Sequence, residues 1–238
     1  MPLAGAIVGR SMDAVDDAKR AAAERAAELV EDGMTLGLGT GSTARWFIAA
    51  VAEKVRSGMR IRGVPTSIAS ERQAREGGIE LVELDASGLD LAVDGADAVD
   101  RDLRLIKGAG GAMVREKIVA ASARRFVVVV DASKLVDPLA GTVPVEIVRF
   151  GSLATLASLE GIGGAPVRVR PGLEGPFVTD NGNLVCDLLL PGGVPDPEAL
   201  AERLEALPGV VGHGLFLGMA DLVVAARADG TLEELRAR

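Results

Sequence analysis

The chain has 238 residues, of which 48% are hydrophobic, and its net charge at neutral pH is −8. This length and apolar content exclude a disordered or fibrous chain and allow one large domain or two modest ones with a buried core. The acidic balance and the lack of a Lys/Arg-rich run argue against a nucleic-acid-binding protein. A single cysteine, Cys186, excludes an intramolecular disulfide, and a single histidine, His213, excludes histidine-cluster metal sites and leaves little room for Ser-His-Asp catalysis.

The N-terminal residues do not have the pattern of a secretion signal. An apolar run covers residues 3–9, but no basic segment precedes it, and Arg10 follows it. We therefore predict a short loose extension here. Because no stretch approaches the roughly 20 apolar residues of a membrane span, we expect no membrane partner and a cytoplasmic location.

The first half of the chain predicts strands that alternate with helices. Helices are expected at residues 13–31, 42–55, 68–76 and 112–121, and strands at 34–38, 60–64, 79–84, 89–93 and 125–130. The last of these strands has no polar alternation, which is typical of a strand covered on both faces of a parallel sheet. The pattern predicts an α/β fold with a doubly wound, Rossmann-like, mostly parallel sheet.

The second half predicts a smaller α+β module. Strands are expected at 143–148, 167–170 and 210–217, helices at 151–159 and 195–207, and a hairpin over 177–187 that turns at Asn181-Gly182. This β-α-β-β-α-β order predicts a ferredoxin-like domain. A strand at 222–226 and a helix at 231–236 are expected to return to the first sheet. The predicted domains are therefore 1–142 with 218–238, and 143–217.

A glycine-rich string, Gly37-Leu-Gly-Thr-Gly-Ser-Thr43, joins a predicted strand to a predicted helix. Glycines let the backbone approach an anion, and the first N–H groups of the helix point towards it. Ser42 stands where the dinucleotide fingerprint has its third glycine, and no Gly-Lys-Ser/Thr follows, so the loop suits a single phosphate better than a pyrophosphate. The alternative is a tight turn with Ser/Thr capping.

Two further polar strings follow predicted strands. Asp94-Gly-Ala-Asp97 offers carboxylates for sugar hydroxyls or proton transfer, although a turn with Asx hydrogen bonds would also have this pattern. Asp131-Ala-Ser-Lys134 brings a lysine to the end of the next strand. The chain has 21 arginines but only five lysines, and a compact ammonium reaches a phosphate or hydroxyl where a guanidinium does not fit. We interpret Lys107 and Lys134 as functional, and chance placement is the alternative.

The string Lys107-Gly-Ala-Gly-Gly111 precedes a helix that carries Glu116 in its first turns. Proton abstraction beside a carbonyl requires a carboxylate or an imidazole held against the carbon. Because His213 is the only histidine, a carboxylate is the economical choice of base. The alternative is that Glu116 is an ordinary charge in an N-terminal helical turn.

Together these strings resemble the type A ribose-5-phosphate isomerases, over nearly the whole chain from about residue 16 to residue 230. The resemblance also covers Val178-Thr-Asp-Asn-Gly-Asn183 and Pro208-Gly-Val-Val211. It implies interconversion of ribose 5-phosphate and ribulose 5-phosphate, in the non-oxidative branch of the pentose phosphate pathway. It also implies that no cofactor or metal is needed and that the protein forms a homodimer or homotetramer.

The resemblance implies a role for each matching residue. Glu116 would be the base that moves a proton between C1 and C2, Asp94 and Asp97 would help to open the ring, and Lys107 would stabilise the enediolate. The first four of the implied contact residues would bind mainly the phosphate of the substrate, and Lys19 would add a further positive charge. The full set is Thr40, Gly41, Ser42, Thr43, Asp94, Gly95, Ala96, Asp97, Lys107, Gly108, Ala109, Gly110 and Lys134. The chain departs from the family at Ala98, where a glutamate is usual, and at Ala109, which interrupts the glycine run.

Three other functions were weighed against the isomerase. A non-catalytic sugar-phosphate sensor would need the phosphate loop but no placed base. A nucleotide-dependent dehydrogenase would need a glycine at position 42 and an acidic ribose ligand after the second strand, and neither is present. An assembly protein would leave the placement of the glycines and lysines unexplained.

Overall fold

The structure is a computed structural model, and it describes residues 4–163 and 165–237. The described helices are α1 (Ala4–Ala27), α2 (Ala44–Arg56), α3 (Ile68–Glu76), α4 (Met113–Ala121), α5 (Ser152–Gly163) and α6 (Pro197–Glu205). The described strands are β1 (Thr35–Leu38), β2 (Arg62–Pro65), β3 (Glu80–Leu81), β4 (Leu91–Asp94), β5 (Ala98–Val99), β6 (Leu105–Ile106), β7 (Phe126–Asp131), β8 (Gly141–Ile147), β9 (Val167–Val169), β10 (Pro171–Gly172), β11 (Gly175–Pro176), β12 (Leu184–Leu190), β13 (Val210–His213), β14 (Leu215–Phe216), β15 (Leu222–Ala226) and β16 (Leu232–Arg236).

The chain divides into two compact units. The first comprises Met1–Gly95, Val119–Leu135 and Ala220–Arg238, and the second comprises Ala96–Ile118 and Val136–Met219. The chain passes between the units within the Asp94-Gly-Ala-Asp97 string and again within α4. The division of the sequence at 142 and 217 stays a prediction about domains.

The first unit contains a seven-stranded sheet in the order β16-β15-β7-β4-β1-β2-β3. All neighbouring strands are parallel except β15 and β16, so the prediction of a doubly wound, mostly parallel sheet is confirmed. Helices α1, α2 and α3 contribute to one buried core with the apolar residues of the central strands. The chain order reverses between β1 and β4, and ligands bind open α/β sheets at such a switch point, beyond the carboxyl ends of the strands.

Two predictions at the ends of the chain are wrong. Residues 4–11, expected to be a loose extension, belong to α1, while residues 1–3 lie outside the described part. The expected helix at 231–236 is the edge strand β16. The Asp229-Gly230 turn explains this, because Gly230 has a positive φ of 85° and the Asp229 carboxylate accepts from the Thr231 N–H, so the chain folds back along β15.

The second unit contains a four-stranded antiparallel sheet in the order β13-β8-β12-β9. With α5 and α6 in the connections this is the predicted ferredoxin-like β-α-β-β-α-β arrangement. The predicted turn at Asn181-Gly182 is present, since Gly182 has a φ of 83° and Thr179 N–H donates to the carbonyl of Asn183 at 3.0 Å. Sequence patterns did not predict β5 and β6, and they joined β14 to β13 in one strand at 210–217. The three short strands form a small separate sheet.

Candidate active site

In the first unit, the glycine-rich loop and Asp94 meet at the switch point between β1 and β4. The backbone N–H of Thr40 donates to Asp94 Oδ1 at 2.9 Å, and the N–H of Gly95 donates to the same oxygen at 2.7 Å. A side chain at Gly39 is excluded, because its Cβ would lie 2.3 Å from Asp94 Cγ. The buried carboxylate of Asp94 is therefore fixed by two amides at the edge of the sheet where α/β proteins bind ligands.

Hydroxyl groups hold the Thr40 side chain. Thr40 Oγ1 lies 2.7 Å from Thr66 Oγ1 and donates to Ser67 Oγ at 2.8 Å. Ser67 in turn caps α3 by accepting from the Ser70 N–H. Sequence analysis did not single out Thr66 and Ser67, although two hydroxyl residues directly after β2 are a signal for a polar loop at the same sheet edge.

The remaining residues of the glycine-rich loop lead into α2. Gly41 and Ser42 are exposed, and the side chain of Thr43, at the N-cap position of α2, makes no capping hydrogen bond. Gly41 has a φ of +108°, a conformation that favours glycine. The first N–H groups of α2 thus lie next to the exposed Ser42 in the sequence, an arrangement suited to an anion.

Lys134 and Lys19 also belong to the first unit. Lys134 is half-buried in the 3-10 turn Ala132–Lys134, which follows β7 and is capped by Asp131. It therefore stands beyond the carboxyl end of a central parallel strand, as predicted. Lys19 is half-buried on α1.

In the second unit, Lys107 and Glu116 form a buried ion pair. Lys107 Nζ lies 3.1 Å from Glu116 Oε2, and the two side chains are only 3% and 5% exposed. The lysine backbone is held by its N–H, which donates to the carbonyl of Gly214 at 2.8 Å. Its ammonium lies 5.4 Å from the centre of the Phe216 ring. A carboxylate and an ammonium are thus placed side by side away from bulk water.

Asp97 and the loop after Lys107 form a second polar group in this unit. Asp97 Oδ2 accepts from the N–H of Ala109 at 2.8 Å. Gly108 has a φ of +103°, and Ala109 and Gly110 are exposed. Asp97 and Ala109 line a cavity of about 480 Å³, together with Arg168, Arg170 and Asp187 among others. Ala96, the first residue of the unit, is half-buried.

Next to Glu116 on α4, the Lys117 side chain contacts the single histidine. Lys117 Nζ lies 3.4 Å from His213 Nδ1, and His213 Nε2 lies 3.2 Å from Glu205 Oε1. Burial lowers the pKa of Lys117 to about 8, against the opposing effect of the Glu205 carboxylate. Burial and the Lys117 charge lower the pKa of His213 to about 4, although Glu205 acts in the opposite direction.

Within residues 4–163 and 165–237, no group of three or more His, Cys, Asp or Glu side chains is placed to hold a metal ion. The same residues include no helix long and apolar enough to cross a bilayer.

Comparison with known proteins places the chain in a family. The sequence profile described as ribose 5-phosphate isomerase A (phosphoriboisomerase A) matches residues 62–230. The chain belongs to the ribose-5-phosphate isomerase A family. The Methylorubrum extorquens protein named ribose-5-phosphate isomerase A is 53% identical over 222 residues, which cover 90% of this chain and 94% of that protein. A relative of the same name from Roseiflexus sp. is 53% identical over 220 residues, with the same two coverages.

Solved structures of the ribose-5-phosphate isomerase A family agree with this assignment. The Plasmodium falciparum ribose 5-phosphate isomerase has a TM-score of 0.89 and 35% identity, covering 93% of this chain and 98% of its own. A D-ribose-5-phosphate isomerase in complex with phospho-erythronic acid has a TM-score of 0.89 and 39% identity, covering 93% and 99%. The chain is thus an aldose–ketose isomerase for ribose 5-phosphate, and nothing in the comparisons supports the alternative of a non-catalytic sensor.

Proposed function

We propose that the isomerase reaction proceeds through an enediolate, with Glu116 as the base and Lys107 as the group that stabilises the developing oxyanion. The observation that carries this proposal is the buried pair of Lys107 Nζ and Glu116 Oε2 at 3.1 Å. A carboxylate shielded from water is a competent general base, and a buried cation stabilises a transient oxyanion more than an exposed one does.

The proposed steps balance in protons and charge. Glu116 takes the C2 proton of the open-chain aldose, and the electrons of that C–H bond form the C1–C2 double bond while O1 becomes negative. The Lys107 ammonium stabilises this oxygen. As the C2 carbonyl forms, the 2-hydroxyl proton is transferred to O1, and Glu116 returns to C1 the proton that it took from C2. One carboxylate can serve both carbons because they are adjacent.

The remaining site residues have supporting roles in this proposal. Thr40, Gly41, Ser42 and Thr43 bind the phosphate through amides and hydroxyls, and Lys134 adds positive charge, with Lys19 as a more distant contributor. Binding energy from the phosphate, which does not react, then orients the carbons that do. Asp94 and Asp97 open the ring and exchange protons with its hydroxyls, and the amides of residues 95, 96 and 108–110 complete the contacts with the sugar.

The wider setting is part of the same proposal. The substrate and product chemistry fit the non-oxidative branch of the pentose phosphate pathway. We infer a cytoplasmic enzyme that needs no metal or other cofactor and assembles as a homodimer or homotetramer.

In the test, purified protein is first treated with a chelator and is then incubated with ribose 5-phosphate in heavy water. We expect ribulose 5-phosphate that carries solvent deuterium at C1, because a carboxylate that holds the proton between two carbons exchanges it. Ketose that forms without any deuterium would contradict an exchanging base, and loss of turnover on chelation would contradict the metal-free mechanism.

The roles of individual residues separate in the kinetic constants. Lys107→Met should lower kcat, whereas Lys54→Met, at a half-buried lysine of α2, should leave it unchanged. Ser42→Ala should raise KM and weaken inhibition by inorganic phosphate, with little change in kcat. If the Ser42 variant has a lower kcat but unchanged inhibition by inorganic phosphate, the proposed role of the loop in phosphate binding is contradicted.

A further inference from the structure

Arg170, which directly follows β9 in the second unit, contacts the loop that follows Lys107. Its Nη1 donates to the backbone carbonyls of Gly108 and Ala109, each at 2.9 Å. The side chain is only 13% exposed. Sequence analysis assigned it no role, because no nearby motif marks it and its partners lie about 60 residues away.

The guanidinium is itself held rigidly. Its Nη2 donates to Asp187 Oδ1 at 2.5 Å and its Nε donates to Asp187 Oδ2 at 3.2 Å. Asp187 is a buried residue of β12, and the guanidinium carbon lies 5.8 Å from the centre of the Phe177 ring. This is the two-pronged arginine–carboxylate geometry, which fixes the direction of the remaining N–H groups.

The two carbonyl contacts determine where the neighbouring amides point. In a planar trans peptide the C=O and the following N–H point in opposite directions. The carbonyl of Gly108 faces Arg170, so the N–H of Ala109 is directed the other way, and it donates to Asp97 Oδ2 at 2.8 Å. The carbonyl of Ala109 also faces Arg170, so the N–H of Gly110 is turned away from the guanidinium in the same manner.

The loop requires such a restraint. Gly108, Gly110 and Gly111 give its backbone more conformational freedom than other residues would, and Ala109 and Gly110 are exposed. Fixing a backbone residue in one conformation has a cost in conformational entropy. Without the contacts from Arg170, that cost would fall on substrate binding or on the transition state.

We propose that Arg170 is a positioning residue of the isomerase: by holding the carbonyls of Gly108 and Ala109, it keeps Asp97 and the amides after Lys107 aligned for the sugar. The inference rests on the proposed roles of Asp97 and Lys107 and adds Arg170 and Asp187 to them. Arg170 acts through the loop and is not assigned a contact with the substrate.

The experiment compares Arg170→Ala with Arg203→Ala. Arg203 is an exposed arginine of α6 in the same unit and does not line the cavity that contains Asp97, so it is the control. Hydrogen bonds that involve a charged group are worth about 1.5–3 kcal/mol, so Arg170→Ala should lower kcat/KM roughly ten- to a hundredfold. Arg203→Ala should stay within about twofold of the wild-type protein, since substitutions of exposed side chains usually have small effects.

Chemical rescue separates positioning from general structural damage. Guanidinium ion at millimolar concentration should restore part of the activity of Arg170→Ala in a saturable way, and it should not rescue Glu116→Gln. A double-mutant cycle of Arg170→Ala with Asp97→Asn should be non-additive, because both changes act on the Ala109 peptide. Asp187→Asn, which retains the shape of the side chain, should lower kcat/KM in the same direction.

Several outcomes would overturn the inference. Wild-type kcat and KM in Arg170→Ala would do so, as would additive effects in the cycle. A folded Arg170→Ala variant that loses activity without any guanidinium rescue would also contradict it. If Arg170→Ala does not fold, unchanged kinetics in Asp187→Asn decide against it. Wild-type turnover of ribose 5-phosphate is measured in the same assay, so a failure of the isomerase function itself is distinguished from a failure of this inference.

Discussion

At the scale of single residues, Glu116 has the central chemical role that we propose. Glu116→Gln removes the base but retains size and hydrogen-bonding shape, so kcat should fall about a hundred- to ten-thousandfold while KM changes little. Steady-state kinetics with ribose 5-phosphate measure both constants. Glu160→Gln, at an exposed position of α5, is the control and should behave as wild type.

The substitution also leaves Lys107 without its carboxylate partner in a buried position. Breaking a buried ion pair destabilises a protein, so thermal unfolding is measured beside the kinetics. Near wild-type kcat in a folded Glu116→Gln protein would exclude Glu116 as the base.

His213 offers a second test at this scale, because it is the only histidine and gives a single imidazole resonance set. Its pKa is lowered to about 4 in the folded protein by burial and by Lys117, with Glu205 opposing. The unfolded imidazole binds a proton near its ordinary pKa of about 6.5. The contribution of neutral His213 to the free energy of unfolding is therefore fully present above about pH 6.5, and it is lost as the pH falls towards about 4.

An NMR titration of the His213 ring measures the pKa directly, and urea unfolding at pH 7.5 and pH 5 measures the linkage. The wild-type protein should lose more stability between these pH values than His213→Asn does. A ring that titrates near 6.5, or equal losses in both proteins, would contradict the burial effect.

Site residues divide into those a sequence can reveal and those it cannot. Glycine strings in loop 37–43 and after Lys107 indicate backbone approach to an anion, and Lys107 is one of only five lysines. Glu116 is predicted as the base because the chain has a single histidine. Arg170 has no such local signal, and the only signal at Thr66 is the pair of hydroxyl residues that follows β2. Their relevance arises from hydrogen bonds to Thr40 and to the carbonyls of Gly108 and Ala109, which exist only in the folded chain.

At the scale of elements, glycines differ in whether a Cβ is tolerated. An added Cβ at Gly161, inside α5, meets no heavy atom within 4 Å, so Gly161→Ala should raise the free energy of unfolding by about 0.5–1 kcal/mol. An added Cβ at Gly39 would lie 2.3 Å from Asp94 Cγ and 2.6 Å from its Cα, so Gly39→Ala should lower both stability and turnover.

Urea unfolding and the isomerase assay measure the two glycine effects in parallel. Gly161→Ala should retain wild-type turnover, since α5 carries none of the site residues. A fully active and stable Gly39→Ala protein would show that the β1 and β4 ends are not as closely packed as their backbone hydrogen bond, Gly39 N–H to the carbonyl of Val93 at 3.0 Å, indicates.

The prediction of secondary structure from sequence was confirmed where burial alone determines the conformation of a segment. The uninterrupted apolar run of β7 is buried along its whole length, as expected for a central parallel strand. It failed at 231–236, where Leu-Glu-Glu-Leu-Arg has helical propensity but pairs with β15. The tertiary contact overrides propensity there, and the ion pair between Arg25 and Glu234 at 2.8 Å adds a link to α1.

At the scale of the whole molecule, chain order predicted the two larger sheets but not the short strands β5 and β6. Each of these strands has two residues, which is too short to leave a periodic pattern in the sequence. The partner of β6 on its other side is β14, about 110 residues further along the chain, and no local signal marks such a pairing.

Two exposed apolar side chains of the second unit offer a test of oligomeric assembly. Phe150 is 93% exposed and Leu153 is 82% exposed, close together before and within α5. Large apolar side chains left in water favour burial against another surface.

If a homodimer or homotetramer covers Phe150 and Leu153, the Phe150→Asp, Leu153→Asp double variant should have a smaller mass than the wild-type protein at equal micromolar concentration in sedimentation velocity. Val15→Asp, at a partly exposed position of α1, should leave the mass unchanged. A wild-type monomer would contradict the assembly proposal, whereas an assembled double variant would move the contact away from α5.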